Sequence, residues 1–244
     1  MSNCKQKKRI FSNKDLVLKQ LITLILFGLP LCSPAIDKII LQEHLPNNPI
    51  IIEAGGYDGG DTQEMAALWP AARIYSFEPL PDLFTILQEK TRNYPNVTCI
   101  PLALSIKTGT AQFFVSSVPG ALSGSSSLLE PNEHLDYYPS VHFENKIEVK
   151  TINLDEWCCQ NNLDHIDFMW LDMQGAEIAM LKAAPKMVKT VSAIYIEISF
   201  AELYKGSCLF DETCQWFESH GFELKYLEIA SSQIEGNALF ARKR

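Results

Sequence analysis

Two acids at the ends of apolar runs carry the chemical information in this chain. Ile50-Ile51-Ile52 runs into Glu53, and a glycine-rich turn follows at once, with Gly55, Gly56, Gly59 and Gly60 around Tyr57 and Asp58. Asp61-Thr62-Gln63-Glu64 then reads as a capping box that opens a helix. Strand, glycine turn and helix together let a backbone approach a nucleotide-like ligand closely. Glu78 ends the next apolar run, Ile74 to Phe77, 25 residues after Glu53. An acid in that place hydrogen-bonds ribose hydroxyls in Rossmann-like folds. Pro79 keeps Glu78 extended and stops the strand.

The acid before the turn constrains the ligand. A carboxylate there repels a pyrophosphate. It suits a ligand with positive charge, and S-adenosylmethionine carries both a sulfonium and an ammonium group.

These residues need a parallel sheet to position them. Ile36 to Leu45 reads as a short helix, broken by Pro46-Asn47-Asn48-Pro49 before the first strand. Asp61–Trp69 is a helix, Arg73–Glu78 a strand, and Pro81 opens a helix to Thr91 with proline in its first turn. Val97 to Leu102 is a third strand. Alternating strands and helices predict a parallel sheet. Thr110 to Val115 is an added strand, paired with Ile147–Ile152. The long connection between them, 116–146, holds Gly120, Gly124, three consecutive serines from Ser125, His134, Tyr137, Tyr138 and His142. We read it as a lid over the substrate. Ile166 to Leu171 is a buried strand ending in Asp172, followed by a helix to Ala184. Val191–Ile198 is a strand with Glu197 near its end. Asp211–His220 is a helix stopped by Gly221. Phe222–Ile229 and Asn237–Ala241 are the closing strands.

The length of 244 residues suits one α/β domain at 36–244. Hydrophobic residues are 47% and charged ones 20%, enough for a sizeable core. The net charge of −8 argues against a nucleic-acid surface across the domain. Seven cysteines without a C-x-x-C pattern indicate reduced thiols and neither a zinc site nor a disulfide framework. Residues 1–35 form a separate segment: a basic start, then an apolar run from Leu21 to Cys32, then Ser33-Pro34-Ala35. That run is about 18 Å long as a helix, too short for about 30 Å of hydrocarbon. Three readings stay open for it: a packed or interfacial helix, a secretory signal, or a membrane anchor. The cofactor favours the cytoplasm, where it is made.

From Ile50 to Ala241 the chain resembles the FkbM-type methyltransferases, a branch of the class I S-adenosylmethionine-dependent enzymes. The residues that carry the resemblance are Glu53 to Thr62, Phe77-Glu78-Pro79, Gly124 to Leu128 and Leu171 to Glu177, with Glu197 to Phe200 and Leu209 to Glu212 similar too. The resemblance implies a Rossmann-like, mostly parallel seven-stranded sheet with its last strand antiparallel and helices on both faces. It implies that Glu53 and Gly55 line the methionine end of the cofactor, that Leu102, Ala103 and Leu104 lie near the adenine, and that Asp172 faces the methyl group and the acceptor. The reaction is then a displacement at the sulfonium methyl, helped by positioning and desolvation. A hydroxyl acceptor must also lose a proton. Asp172 is the first candidate for its base, with His134 and His142 behind it. Asp172 has a structural alternative as the cap of the following helix.

The resemblance leaves the acceptor open: a hydroxyl of a small molecule, a glycan or a lipid-linked sugar. Asp172, Glu177 and Glu197 lack a diagnostic metal spacing, so no metal is assigned. A nicotinamide-dependent dehydrogenase fits poorly, because the turn departs from G-x-G-x-x-G. A non-catalytic binding or scaffold protein on the same fold is the other alternative. The oligomeric state is not written in the sequence.

Overall fold

The computed structural model describes residues 38–243. The segment at 1–35, with its three readings, lies outside the described residues. A 3₁₀ turn at Lys38–Glu43 leads into β1 (Ile50–Ala54), α1 (Gly60–Leu68), β2 (Arg73–Phe77), α2 (Pro81–Thr91) and β3 (Val97–Ile100). Next come β4 (Ala103–Leu104), β5 (Gly109–Val118), β6 (Ala121–Leu122), α3 (His134–Tyr137) and β7 (His142–Ile152). The second half holds α4 (Leu154–Gln160), β8 (Phe168–Leu171), α5 (Glu177–Lys182), α6 (Pro185–Val188), β9 (Ala193–Ser199) and α7 (Phe210–Ser219). The hairpin β10 (Phe222–Ile229) and β11 (Glu235–Arg242) follows.

The main sheet has seven strands in the order β10-β11-β9-β8-β1-β2-β3. Six share one direction, and β11 runs antiparallel to both its neighbours. β1 is buried at every residue, as a parallel strand covered on both faces must be. Its side chains alternate between two cores. Ile50, Ile52 and Ala54 join the core with Trp157, Phe210 and Phe217 from α4 and α7, while Ile51 joins the core with Met65, Ala66 and Trp69 on the α1 side. The chain leaves β1 for β2 on one side and returns to β8 on the other. That makes the carboxyl ends of β1 and β8 a topological switch point, where such sheets bind ligands.

A second sheet, β4-β7-β5-β6, stands beside the first. It closes a third core in which Leu80 and Leu83 meet Ala103, Phe113 and Val149. The added strand pair is therefore longer than Thr110–Val115 against Ile147–Ile152. It runs from Gly109 opposite Thr151 to Ser117 opposite His142, with a register shift after Val115.

Three local expectations are corrected. The capping box at Asp61 does not form: Gly59, at φ 80°, holds the cap position, and no side chain caps α1. The left-handed turn starts the helix one residue early, and Asp61 and Glu64 instead grip Lys38 Nζ at 2.6 and 2.5 Å. The helix expected to run on to Ala184 starts at Glu177 and ends at Lys182, and α6 begins at Pro185. A helix that the reading passed over, α4, is capped by Asn153, whose side chain accepts the Glu156 backbone N–H at 3.2 Å.

Candidate functional site

Two glycines bring the strand ends together. Gly55 sits at φ 89°, and a Cβ there would lie 1.9 Å from the Asp172 carbonyl oxygen. A Cβ on Gly56 would lie 2.3 Å from Ser76 Oγ. Both glycine N–H groups donate to the Phe77 carbonyl, at 3.1 and 3.0 Å. The ends of β1, β2 and β8 are thus drawn to backbone contact, which only glycine permits at these two points.

Above this contact opens a cavity of about 310 Å³. Its floor is the glycine turn. One wall is apolar, with Leu83, Leu102, Ala103 and Phe113. Among the described residues five carboxylates border it, Asp58, Asp61, Glu64, Glu78 and Asp172, and no lysine, arginine or histidine does. Asp58 is neutralised from outside by Lys90 at 2.6 Å, and Lys38 serves Asp61 and Glu64. Glu78 and Asp172 have no such partner among the described residues.

Glu78 is buried. Its Oε2 accepts the Tyr57 N–H at 2.9 Å and its Oε1 accepts the Leu80 N–H at 2.8 Å. Burial raises its pKa to about 7 against these two hydrogen bonds, and the charge of Asp172 adds to the rise. The bond from Tyr57 comes from a residue at φ 44°, a left-handed conformation rare outside glycine. The turn and Glu78 therefore hold each other in place.

Asp172 follows β8, and its N–H donates to the Ala54 carbonyl at 3.0 Å. The side chain is open to the cavity, yet the surrounding walls strip away enough water to raise its pKa to about 6. A hydrogen bond from Gln174 opposes the rise, and the charges of Asp61 and Glu235 add to it. Glu197 at the end of β9 is raised further, first by burial and then by the charge of Asp172. Glu177 is turned away from the cavity. Its Oε1 accepts the N–H groups of Met173 at 2.6 Å and Gly175 at 3.2 Å, so it braces the loop after β8.

The remaining expected residues are placed as follows. Leu102 and Ala103 line the cavity with Gly55, Gly56, Glu78 and Asp172. Gly59 caps α1 and leaves the cavity border to Gly60. Glu53 does not reach the cavity. Strand alternation turns it toward α1, beneath the turn, where Thr62 Oγ1 donates to its Oε2 at 2.5 Å. His134 is buried in a cage of Tyr138, Phe143 and Tyr204, with ring centroids 5.0 to 5.4 Å away, and burial lowers its pKa. His142 is exposed at the start of β7. Neither histidine borders the cavity.

Residues 116–146 lie against the site and are tied down. Ser123, Gly124, Ser126 and Leu128 line the cavity. Ser127 Oγ donates to the Gln174 carbonyl at 2.8 Å. Further on, the N–H groups of Asn132 and His134 both donate to the Leu203 carbonyl. Sequence reasoning missed Gln174 and Tyr204. Gln174 shared a motif with Asp172 but was given no role, and nothing local marks Tyr204.

A glycine cradle at the switch point, an acid at the end of the second strand and an acidic cavity without a cation fit a positively charged adenosine cofactor. With the strand order above, they define a class I S-adenosylmethionine-dependent methyltransferase, and S-adenosylmethionine is its cofactor. The chain belongs to the FkbM methyltransferase family: the family model described as "Methyltransferase FkbM domain" matches residues 53–224. It is 32% identical over 180 residues to the 2-O-methyltransferase NoeI of Sinorhizobium fredii, covering 72% of this chain and 74% of that one. It is 25% identical over 127 residues to the hexuronic acid methyltransferase AglP of Haloferax volcanii, covering 52% of this chain and 47% of that one. Among solved structures, a fibrillarin/Nop5p complex shares the fold, with a TM-score of 0.52 at 14% identity over 84% of this chain and 79% of that chain. The dehydrogenase alternative falls with the family assignment. Among the described residues no helix is long and apolar enough to cross a membrane.

Proposed function

We propose that this enzyme methylates a hydroxyl of a neutral sugar, free or carried on a glycan or lipid, with Asp172 as the base. The observation that carries this reading is the Asp172 carboxylate, which is open to the cavity and one backbone contact from the glycine cradle. Glu78 accepts the ribose hydroxyls, Gly55 and Gly56 admit the methionine end, and Leu83, Ala103 and Phe113 flank the adenine. The bound cofactor supplies an electrophilic methyl group on sulfur. Asp172 takes the proton of the acceptor hydroxyl as its oxygen attacks. With its pKa raised to about 6, Asp172 is a stronger base than an ordinary aspartate and is still ionised at neutral pH. His134 and His142 play no part in that transfer.

Charge narrows the acceptor. Two relatives are named for a 2-O-methylation and for hexuronic acid. Among the described residues no cation borders the cavity beside Glu78 and Asp172, which opposes a hexuronate carboxylate and accepts a neutral pyranoside. Residues 116–146 serve as the wall of the acceptor site, within one domain at 36–244. The cytoplasm, where the cofactor is made, is the fitting compartment, and membrane association rests with residues 1–35.

The test is transfer of labelled methyl from S-adenosylmethionine by the full chain to a panel of methyl hexosides, 6-deoxyhexosides and hexuronides, beside Asp172→Asn. Transfer to a neutral glycoside, lost in the variant while calorimetric cofactor binding persists, supports the reading. Preference for hexuronides, or full activity in Asp172→Asn, overturns it.

A further inference from the structure

Gln174 is the most constrained residue of the site. It is a non-glycine residue at φ 54°, in the left-handed region. Its carbonyl accepts Ser127 Oγ at 2.8 Å. Its Nε2 donates to Asp172 Oδ1 at 2.7 Å and to Glu197 Oε2 at 2.8 Å. Its Oε1 faces the Tyr204 hydroxyl at 2.8 Å, and that hydroxyl also lies 2.7 Å from the Ser125 carbonyl. Tyr204 is 2% exposed, so the brace is rigid.

An amide suits this position for a chemical reason. It has two N–H donors for two carboxylates and one oxygen for a hydroxyl. A carboxylate here would set a third acid beside the pair, and an apolar side chain would leave both without the donor.

We propose that Gln174 is a positioning residue for methyl transfer: braced by Tyr204, its amide holds Asp172 and Glu197 at a fixed spacing and leaves Oδ2 of Asp172 for the acceptor. This rests on the reading of Asp172 as the base. The groups around Asp172 make the amide matter. Asp61 from α1, Glu78 after β2 and Glu235 from β11 bring negative charge, Glu197 from β9 hydrogen-bonds with Asp172, Glu177 opens α5, and Tyr138, Tyr195 and Tyr204 are neutral. Among the described residues no lysine, arginine or histidine forms an ion pair with Asp172 or Glu197. The amide, together with the hydrogen bond from Glu197, therefore favours the ionised form of Asp172 against its acidic neighbours.

The titration itself needs no acceptor; the transfer assay with the neutral glycoside separates this proposal from the reading of Asp172 as the base. The full chain is labelled with ¹³C at Asp and Glu carboxyls and titrated by NMR, with Asp172→Asn to assign the signal. Gln174→Met is expected to raise the Asp172 midpoint by about one pH unit or more, the loss of one charge-assisted hydrogen bond. Tyr204→Phe keeps the ring and removes only the brace. It is expected to shift the midpoint the same way by less, and it carries the test if Gln174→Met does not fold. Cofactor affinity stays within about twofold of wild type in both, because neither side chain borders the cavity. A folded Gln174→Met with the wild-type midpoint overturns the proposal and leaves the base reading intact if Asp172→Asn still abolishes transfer. Full transfer in Asp172→Asn overturns both.

Discussion

Glu53→Gln tests how the cradle is supported from below. Glu53 is fully buried, Thr62 donates to one oxygen, and the other oxygen has no hydrogen-bond partner among the described residues. Burial raises its pKa from 4.5 to about 7, with the Ser76 and Thr62 hydroxyls opposing. The folded protein therefore binds this proton more tightly than the unfolded chain. The group's support for folding is complete below about pH 4.5 and is lost as the pH rises through about 7. At about 1.36 kcal/mol per pH unit, the wild type forgoes at most about 3 kcal/mol above that point. Glutamine has the same shape and no ionisation, and its oxygen can still accept from Thr62. Its NH₂ lands where the unpartnered oxygen was, at a cost of about 1–2 kcal/mol at every pH. The variant should be less stable than wild type near pH 5 and more stable near pH 8, with the difference swinging by about 3 kcal/mol. Urea denaturation of both proteins at several pH values between these limits measures it. Curves that stay parallel across the range would falsify the assignment of a raised pKa to this buried acid.

Gly55→Ala meets a backbone carbonyl that cannot yield, at a positive φ, and is expected to lose about 3 kcal/mol or more and cofactor binding, read by thermal denaturation and calorimetry. Gly56→Ala meets a side chain instead, so adding Ser76→Ala should recover at least half of the lost stability; an additive cycle refutes the clash. Arg242 donates to the carbonyls of Val188, Val191 and His220 and stacks on Phe222, and Arg242→Lys is expected to cost about 2 kcal/mol without changing cofactor affinity. His134→Phe should fold with stability within about 1 kcal/mol of wild type and keep methyl transfer within about twofold. A hundredfold loss of rate in that variant would return His134 to the list of bases.

The cofactor half of the site was legible because its signals are local. Glycines followed by a helix, an acid two residues before them and a second acid one strand later all lie between Glu53 and Glu78. Strand alternation was the part of that signal left unread: it turns Glu53 beneath the turn, opposite to the side that Ile52 and Ala54 share. The acceptor half was less legible because it is assembled from distant pieces. Gln174 matters through Tyr204, thirty residues on, and through Glu197 on another strand. His134 drew notice as a titratable residue on a long loop, but tertiary packing made that loop a wall and the histidine part of an aromatic cluster. Asn153, three residues before Glu156, was a readable helix start.

The stitching of residues 125–134 onto the loop after β9 also orders assembly in time. The partners of Ser125, Asn132 and His134 lie at Leu203 and Tyr204, some seventy residues downstream. Joining ends so far apart carries a loop-closure cost that neighbouring strands do not meet. The N–H groups of Tyr57 and Leu80 that hold the Glu78 carboxylate both lie on the short stretch from β1 to the start of α2. A nascent chain can therefore shape the ribose end of its cavity while the acceptor wall still waits for the second half of the protein to emerge.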